Sequence, residues 1–269
     1  MTLKRLTAAV VAACLGVTVL TGCGVPANKV FSVNDLPGKS IGVQQGTTGD
    51  DLARSYEEKP EAGAEPAKVE RYNKGADAVS ALKQGKIDCV IIDNEPAKVF
   101  VSNNDDLQIL SDSFEPEDYA IAVKKNNGDL VERLNAAMAE LKADGTIDKI
   151  LANYIGDNTG SYQYTSPEGT DRSNGKLVMA TNAEFPPYES LEDGNIVGID
   201  PDIFTALCDK LGYEPVIDDM AFDSIIPAIQ SGKADIGMAG MTVDPTRLES
   251  VDFTDSYATG LQVIITRVK

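Results

Sequence analysis

The chain contains no histidine and no tryptophan, has only four cysteines, and draws just 6% of its 269 residues from the aromatics. Without histidine, Ser-His and Cys-His catalysis and imidazole metal ligation are excluded together. No CxxC pair or other metal-ligand spacing connects the cysteines. Basic residues are scarce: 24 Lys and Arg stand against 42 Asp and Glu, a net charge of −18. A surface of that sign repels polyphosphate and argues against a nucleic-acid binder. What is present is a hydrophobic fraction of 42%, enough for real cores, over a length suited to one large domain or two small ones.

Lys4 and Arg5 precede an apolar run from Leu6 to Leu20. As a helix at ~1.5 Å per residue this run reaches only ~22 Å, short of the ~30 Å hydrocarbon core, so it fits a secretion signal better than a permanent span. Its end, Leu20-Thr21-Gly22-Cys23, resembles the lipobox of bacterial lipoproteins. That resemblance implies removal of residues 1–22, acylation of Cys23 and an extracytoplasmic position held at the cell membrane by lipid. Cys14 leaves with the signal. Cys89, in an apolar run, and Cys208, in a helical pattern, read as buried small hydrophobes.

The remaining sequence alternates strand and helix patterns, which implies an α/β fold with mostly parallel sheets. Strands are expected at 40–43, 86–93, 119–123, 176–180, 234–239 and 261–266. Helices are expected at 50–56 and 200–211, and two more between 129 and 154 with a break at Gly145. Residues 156–175, GDNTGSYQYTSPEGTDRSNG, lack aliphatic residues and read as a linker or long surface loop. A faint repeat aligns ALKQGKID, from Ala81, with AIQSGKAD, from Ala228. Each copy is a helix end, a Gly-Lys turn suited to a left-handed cap, and an Asp opening a buried strand. Two copies suggest two similar lobes, with Cys89 and Cys208 in different ones, which disfavours a disulfide between them.

In parallel α/β sheets, ligands bind beyond the carboxyl ends of strands. The loop Gln44-Gln45-Gly46-Thr47-Thr48-Gly49 offers backbone N–H groups to an anion, but has no Walker lysine and is equally a plain turn with a helix cap. Asp93 can accept hydrogen bonds from an ammonium group, or cap the segment at Asn94-Glu95-Pro96. After Thr181, the run Asn182-Ala183-Glu184-Phe185-Pro186-Pro187-Tyr188 offers two aromatics that wall a pocket or simply pack. After Ala239 come Gly240, Thr242 and Arg247; the arginine grips a carboxylate as a bidentate fork or pairs with Glu249 or Asp252. Together these loops supply a cationic fork, an acid and aromatic walls, a set shaped for an α-amino-acid zwitterion.

The chain resembles the extracytoplasmic amino-acid-binding proteins of ABC importers, bacterial solute-binding protein family 3. "KLVMATNAEFPPYES", "GIDPDIFTALCDKLGY" and "AFDSIIPAIQSGKADIGMAGMTVDPTRLESVDFTDSY" resemble the family's first lobe, whereas "LPGKSIGVQQGTTGDDLA" and "GKIDCVIIDNEPA" resemble its second. "LKADGTIDKILANYIG" resembles the helices that return to the first lobe. The family begins with the segment found here at 176, so the resemblance implies a circularly permuted, two-lobed periplasmic-binding-protein-like fold of type II. Its parts would be a tether and hinge at 23–35, the second lobe at 36–126, and the first lobe at 127–155 plus 176–269, with 156–175 joining the family's usual ends. The new ends are expected at one hinge crossing, leaving a single covalent crossing near 124–127.

Carried over by motif, the resemblance assigns Arg247, the Thr242 hydroxyl and the Thr48 N–H to the α-carboxylate. It assigns Asp93 and the Gly240 carbonyl to the ammonium, and Phe185 and Phe222 to a sandwich around the solute. Asn182, Glu184 and Gln44 fall where side-chain specificity is decided. Asn182 replaces the Asp common among binders of basic side chains, with Glu184 either the compensating acid or equally a surface residue. The implied function is capture of a free amino acid, polar or basic by preference, and delivery to an ABC transporter permease, with no cofactor. Alternatives on the same scaffold are a dehydratase, with Glu184 or Asp93 as general acid, and a ligand-binding sensor component.

Overall fold

The computed structural model describes residues 25–60 and 62–268; the signal expected at 1–22 and the acylation expected at Cys23 fall outside the described residues. The chain runs through β1 (Ser40–Gln44), α1 (Thr48–Glu58), β2 (Lys68–Tyr72), α2 (Gly75–Lys83), β3 (Cys89–Asp93) and α3 (Asn94–Ser102). A long strand, β4 (Leu107–Lys124), leads to α4 (Gly128–Ala143) and α5 (Thr146–Tyr154). Next come β5 (Lys176–Thr181), the short strands β6 (Glu184–Phe185), β7 (Glu189–Glu192) and β8 (Asn195–Val197), and α6 (Ile199–Leu211). The chain finishes with β9 (Glu214–Asp219), α7 (Ile225–Ser231), β10 (Ile236–Gly237), α8 (Pro245–Leu248) and a second long strand, β11 (Val251–Arg267).

Eight strands form one sheet in the order β2-β1-β3-β11-β4-β10-β5-β9. Its two ends are built alike. β2, β1 and β3 are parallel, and β3 meets β11 antiparallel. β9, β5 and β10 are parallel, and β10 meets β4 antiparallel. Each end with its helices is a lobe. β4 and β11 belong to both, paired antiparallel from Leu107 opposite Arg267 to Lys124 opposite Val251. Register shifts between Phe253 and Ile265 bend the pair where the lobes meet.

Side chains alternate faces along a strand, and the core follows that period. On β3, Cys89 and Ile91 enter a cluster with Ile41, Val43 and Ala53, while Val90 and Ile92 face α2. On β4, Ile121 and Val123 join the same large cluster as α4 and α6, while Ala122 faces α7. One apolar layer therefore covers one side of the whole sheet, and each lobe has its own layer on the other. Cys89 and Cys208 lie in different layers as free thiols, and burial raises both to a pKa of about 12.

The repeat is structural. Gly85 and Gly232 follow α2 and α7 with φ of +70° and +77°, a conformation that favours glycine. Asp88 then accepts the Ser40 N–H of β1 at 3.0 Å, and Asp235 the Val178 N–H of β5 at 2.8 Å. The same turn thus ties each lobe's central strand to its neighbour.

Several expectations need correction. Both long strands cross between the lobes, whereas the sequence led us to expect one crossing near 124–127. The two ends of the described residues come together inside the lobe of β1 to β3, where Arg267 Nε donates to the Pro26 carbonyl at 3.1 Å. The strand expected at 234–239 is only Ile236–Gly237, because the chain leaves β4 to build the loop at Gly240. Residues 156–175 hold no helix or strand but strap down onto α6, with Tyr164 and Arg172 both bonded to Asp209.

Because Asp88 and Asp235 do the same work, Asp88→Ala and Asp235→Ala are expected to lower stability by similar amounts, about 1 kcal/mol each. Urea unfolding followed by circular dichroism measures both.

Candidate functional site

The carboxyl ends of β1 and β3 face those of β5 and β10 across the bend, and the space between them is a nearly closed cleft with a cavity volume of about 10 Å³. Nine of the ten residues singled out for binding line it: Gln44, Thr48, Asp93, Asn182, Phe185, Phe222, Gly240, Thr242 and Arg247. Glu184 does not. It sits half-buried at the rim and pairs with Lys74 of the opposite lobe, so its charge is already neutralised there.

Arg247 is brought to the cleft by α8, whose start is fixed by Pro245 and by Asp244 accepting the Thr246 and Arg247 N–H groups. Its guanidinium is buried. Nη1 donates to the Thr242 carbonyl at 2.9 Å, and Nη2 to the Gly46 carbonyl of the other lobe at 3.2 Å. It lies 5.4 Å from the centre of the Phe222 ring, a cation–π distance, and is ion-paired to Asp244 rather than to Glu249 or Asp252. Burial pushes its pKa down, while Asp244, Asp51, Glu117 and Asp93 pull it back. Facing it, Thr48 opens α1, whose first N–H groups have no intrahelical acceptor. The Thr48 hydroxyl donates to Thr242 Oγ1 at 3.0 Å across the cleft. This end of the cleft suits a carboxylate.

Asp93 occupies the cap position before α3 but makes no capping bond with its side chain. It turns instead to the hydroxyl of Tyr119, which donates to it. No basic residue is among the strongest influences on its charge, and burial raises its pKa to about 6, with Glu117 adding to the rise and Tyr119 and Gln262 opposing it. An acid so placed is a ready partner for an ammonium group.

The floor at Gly240 is made possible by the lack of a side chain. Its φ is +52°, and a Cβ there would lie 2.6 Å from the Phe185 ring. Phe185 stacks on Tyr188 at 5.7 Å, and Tyr188 meets Tyr119 edge-on at 5.2 Å, so the aromatic wall and the partner of Asp93 are one packed unit. At the far end, Gln44 Nε2 donates to Asn182 Oδ1 at 2.7 Å, and Asn182 Nδ2 to the Met220 carbonyl at 2.8 Å. That end is polar and uncharged.

Sequence reasoning placed the lining residue Thr47 only within the anion-binding loop, and missed the lining residue Ala239 and the supporting residues Glu117, Tyr119 and Gln262. Gln262 was findable as the single polar residue in the run LQVII, expected to be buried. Glu117 sits in a polar stretch with no period and gave no signal.

This arrangement, two α/β lobes sharing a pair of strands around a polar cleft, defines a solute-binding protein. The chain belongs to the bacterial extracellular solute-binding proteins, family 3, which it matches at residues 51–157 and 177–269. The family is one of binding proteins, not enzymes. The chain is 40% identical over 103 residues to the arginine-binding extracellular protein ArtP of Bacillus subtilis (strain 168), covering 38% of this chain and 40% of ArtP. It is 37% identical over 93 residues to the ABC transporter arginine-binding protein 1 of Escherichia coli (strain K12), covering 34% of this chain and 38% of that protein. The chain thus spans about two fifths of the length of these relatives. Among solved structures, the arginine-bound form of domain 1 from TmArgBP shares 35% identity over 36% of this chain and 82% of that one, with a TM-score of 0.31.

Tyr119→Phe removes a donor that holds the Asp93 pKa down, so that pKa is expected to rise above about 6. Carboxyl ¹³C shifts followed against pH measure it.

Proposed function

We propose that this protein captures one free amino acid, polar or basic at its side chain, between its lobes and delivers it to an ABC transporter permease. The observation that carries this reading is the separation of charge within one cleft. Arg247 and the start of α1 stand at one end, and Asp93 stands at another, making no ion pair of its own among the described residues. Those two ends match a zwitterion, and Phe185 and Phe222 supply apolar walls for its aliphatic stem. Gln44 and Asn182 supply carbonyl and amide groups for a polar tip. The net charge of −18 favours a cationic solute at long range. The names of the relatives, arginine-binding in both cases, support the same class.

The protein acts outside the cytoplasm, anchored by lipid on Cys23. The Leu20-Thr21-Gly22-Cys23 motif supports the anchor, and no helix among the described residues is long and apolar enough to cross a membrane. We also read the chain as circularly permuted, with 156–175 joining ends that are free in its relatives. The order of the motifs supports this, as does the closeness of Pro26 to Arg267.

Calorimetry of residues 24–269 with L-arginine, L-glutamine, L-glutamate and L-leucine tests the function. Binding is expected for arginine or glutamine, and Arg247→Ala is expected to weaken it by about 2–5 kcal/mol. A folded protein that binds none of the four would overturn the reading.

The affinity is also expected to depend on pH. Asp93 must be ionised to hold an ammonium, so affinity should fall as the pH drops through about 6. Without solute the sign for stability is opposite. A carboxyl raised from 3.8 to about 6 by burial contributes stability that is full below 3.8 and is lost as the pH rises through about 6. Calorimetric titrations at a series of pH values, beside thermal unfolding without solute, separate the two effects.

A further inference from the structure

Behind the Gly240 wall lies a second acidic feature that the binding roles do not use. Glu189 opens β7 and Asp200 lies in the first turn of α6, and both are 0% exposed. Asp200 Oδ2 accepts the Gly240 N–H at 3.0 Å and the Tyr257 hydroxyl at 2.9 Å. Asp200 Oδ1 and both carboxyl oxygens of Glu189 are buried without a conventional donor. The charged groups that weigh most on Glu189 are Asp200 on α6, Asp93 on β3 and Asp219 on β9, all of them acids. The polar groups around Asp200 are the Gly240 N–H, Glu189 and Tyr257.

Two ionised carboxylates buried side by side, neither ion-paired among the described residues, repel each other strongly. One proton between them resolves the arrangement, because it gives Asp200 Oδ1 a donor and leaves a single charge. The start of α6 favours that charge on Asp200, which leaves the proton on Glu189. We propose that Glu189 and Asp200 share one proton, and that this pair makes Glu189 a positioning residue that fixes the Gly240 peptide in the solute cleft. The role of Gly240 toward solute rests on the function proposed above; the shared proton does not. Burial and the neighbouring acids hold Glu189 well above the ordinary carboxylate range, in keeping with a proton retained at neutral pH. Asp200 accepts two hydrogen bonds that oppose its own rise, to about 6.

The test is a carboxyl ¹³C titration of the wild-type protein, from about pH 5 to about pH 9. Glu189 is expected to keep the shift of a protonated acid at neutral pH, and an ionised Glu189 there would overturn the pair. Glu189→Gln retains a donor toward Asp200 Oδ1. It should keep the Gly240 amide resonance in place and the affinity for L-arginine within about threefold. Relative to wild type its stability should improve as pH rises, because it no longer takes up a proton on folding. Parallel stability curves for the two proteins would count against the shared proton. Glu189→Leu strands Asp200 Oδ1 and should shift the Gly240 amide and weaken L-arginine about tenfold or more. An unmoved Gly240 amide and unchanged affinity in that variant would overturn the positioning role. Should the leucine variant not fold, the glutamine variant and the titration still decide the pair. If wild type binds no L-arginine, the amino-acid reading is what fails, and the titration and the Gly240 resonance still judge this proposal.

Discussion

The antiparallel pairing of β4 with β11 is the constraint on which the molecule depends. The pair serves two lobes, with β11 hydrogen-bonded to β3 on one side and β4 to β10 on the other. Because both parallel triplets are hung on this one ladder in opposite senses, their carboxyl ends face each other. The cleft is therefore a result of topology before any side chain is chosen. The ladder is also irregular where it bends, which lets two rigid lobes meet through a segment of weaker pairing. Tyr119 lies at that bend and reaches Asp93, so the bend and the candidate site share a residue.

Charge inside the cleft is handled asymmetrically. Arg247 is surrounded by acceptors, two of them backbone carbonyls from different lobes, and it arrives with compensation already in place. Among the described residues Asp93 has a tyrosine hydroxyl and an amide but makes no ion pair. A buried acid in that condition favours any group that brings a positive charge and hydrogen-bond donors into the same space. Glu189 and Asp200 meet the same shortage of cations by a different route, a proton rather than a ligand.

Much of this was legible in the sequence. Hydrophobic runs gave the buried strands at Cys89–Asp93 and Lys176–Thr181, and Gly145 marked the break between α4 and α5. The repeated Gly-Lys turn pointed to two related lobes. Residues after strand ends, found by their chemistry, converge on one cleft in nine cases of ten. What stayed hidden was long-range. The lengths of β4 and β11 were not readable, because their middle portions carry polar residues with no clean alternation and their pairing is fixed only by the partner strand. β2 and β9 carry charged residues at the sheet edges and show little hydrophobic signal. Glu184 has the right residue type in the right loop, yet β6 turns it toward Lys74, which sequence neighbours alone do not reveal.

The two thiols have a consequence for how motion in this protein can be watched. Cys89 and Cys208 are buried in separate layers and are held far from the thiolate form at neutral pH. Neither is a competent nucleophile in the folded chain. A dye-reactive cysteine placed at Lys74 and another at Glu184, on facing rims, would therefore be the reactive pair among the described residues. Light emitted by such a pair would turn the approach of the lobes into a continuous optical signal, without first removing a native residue from either core.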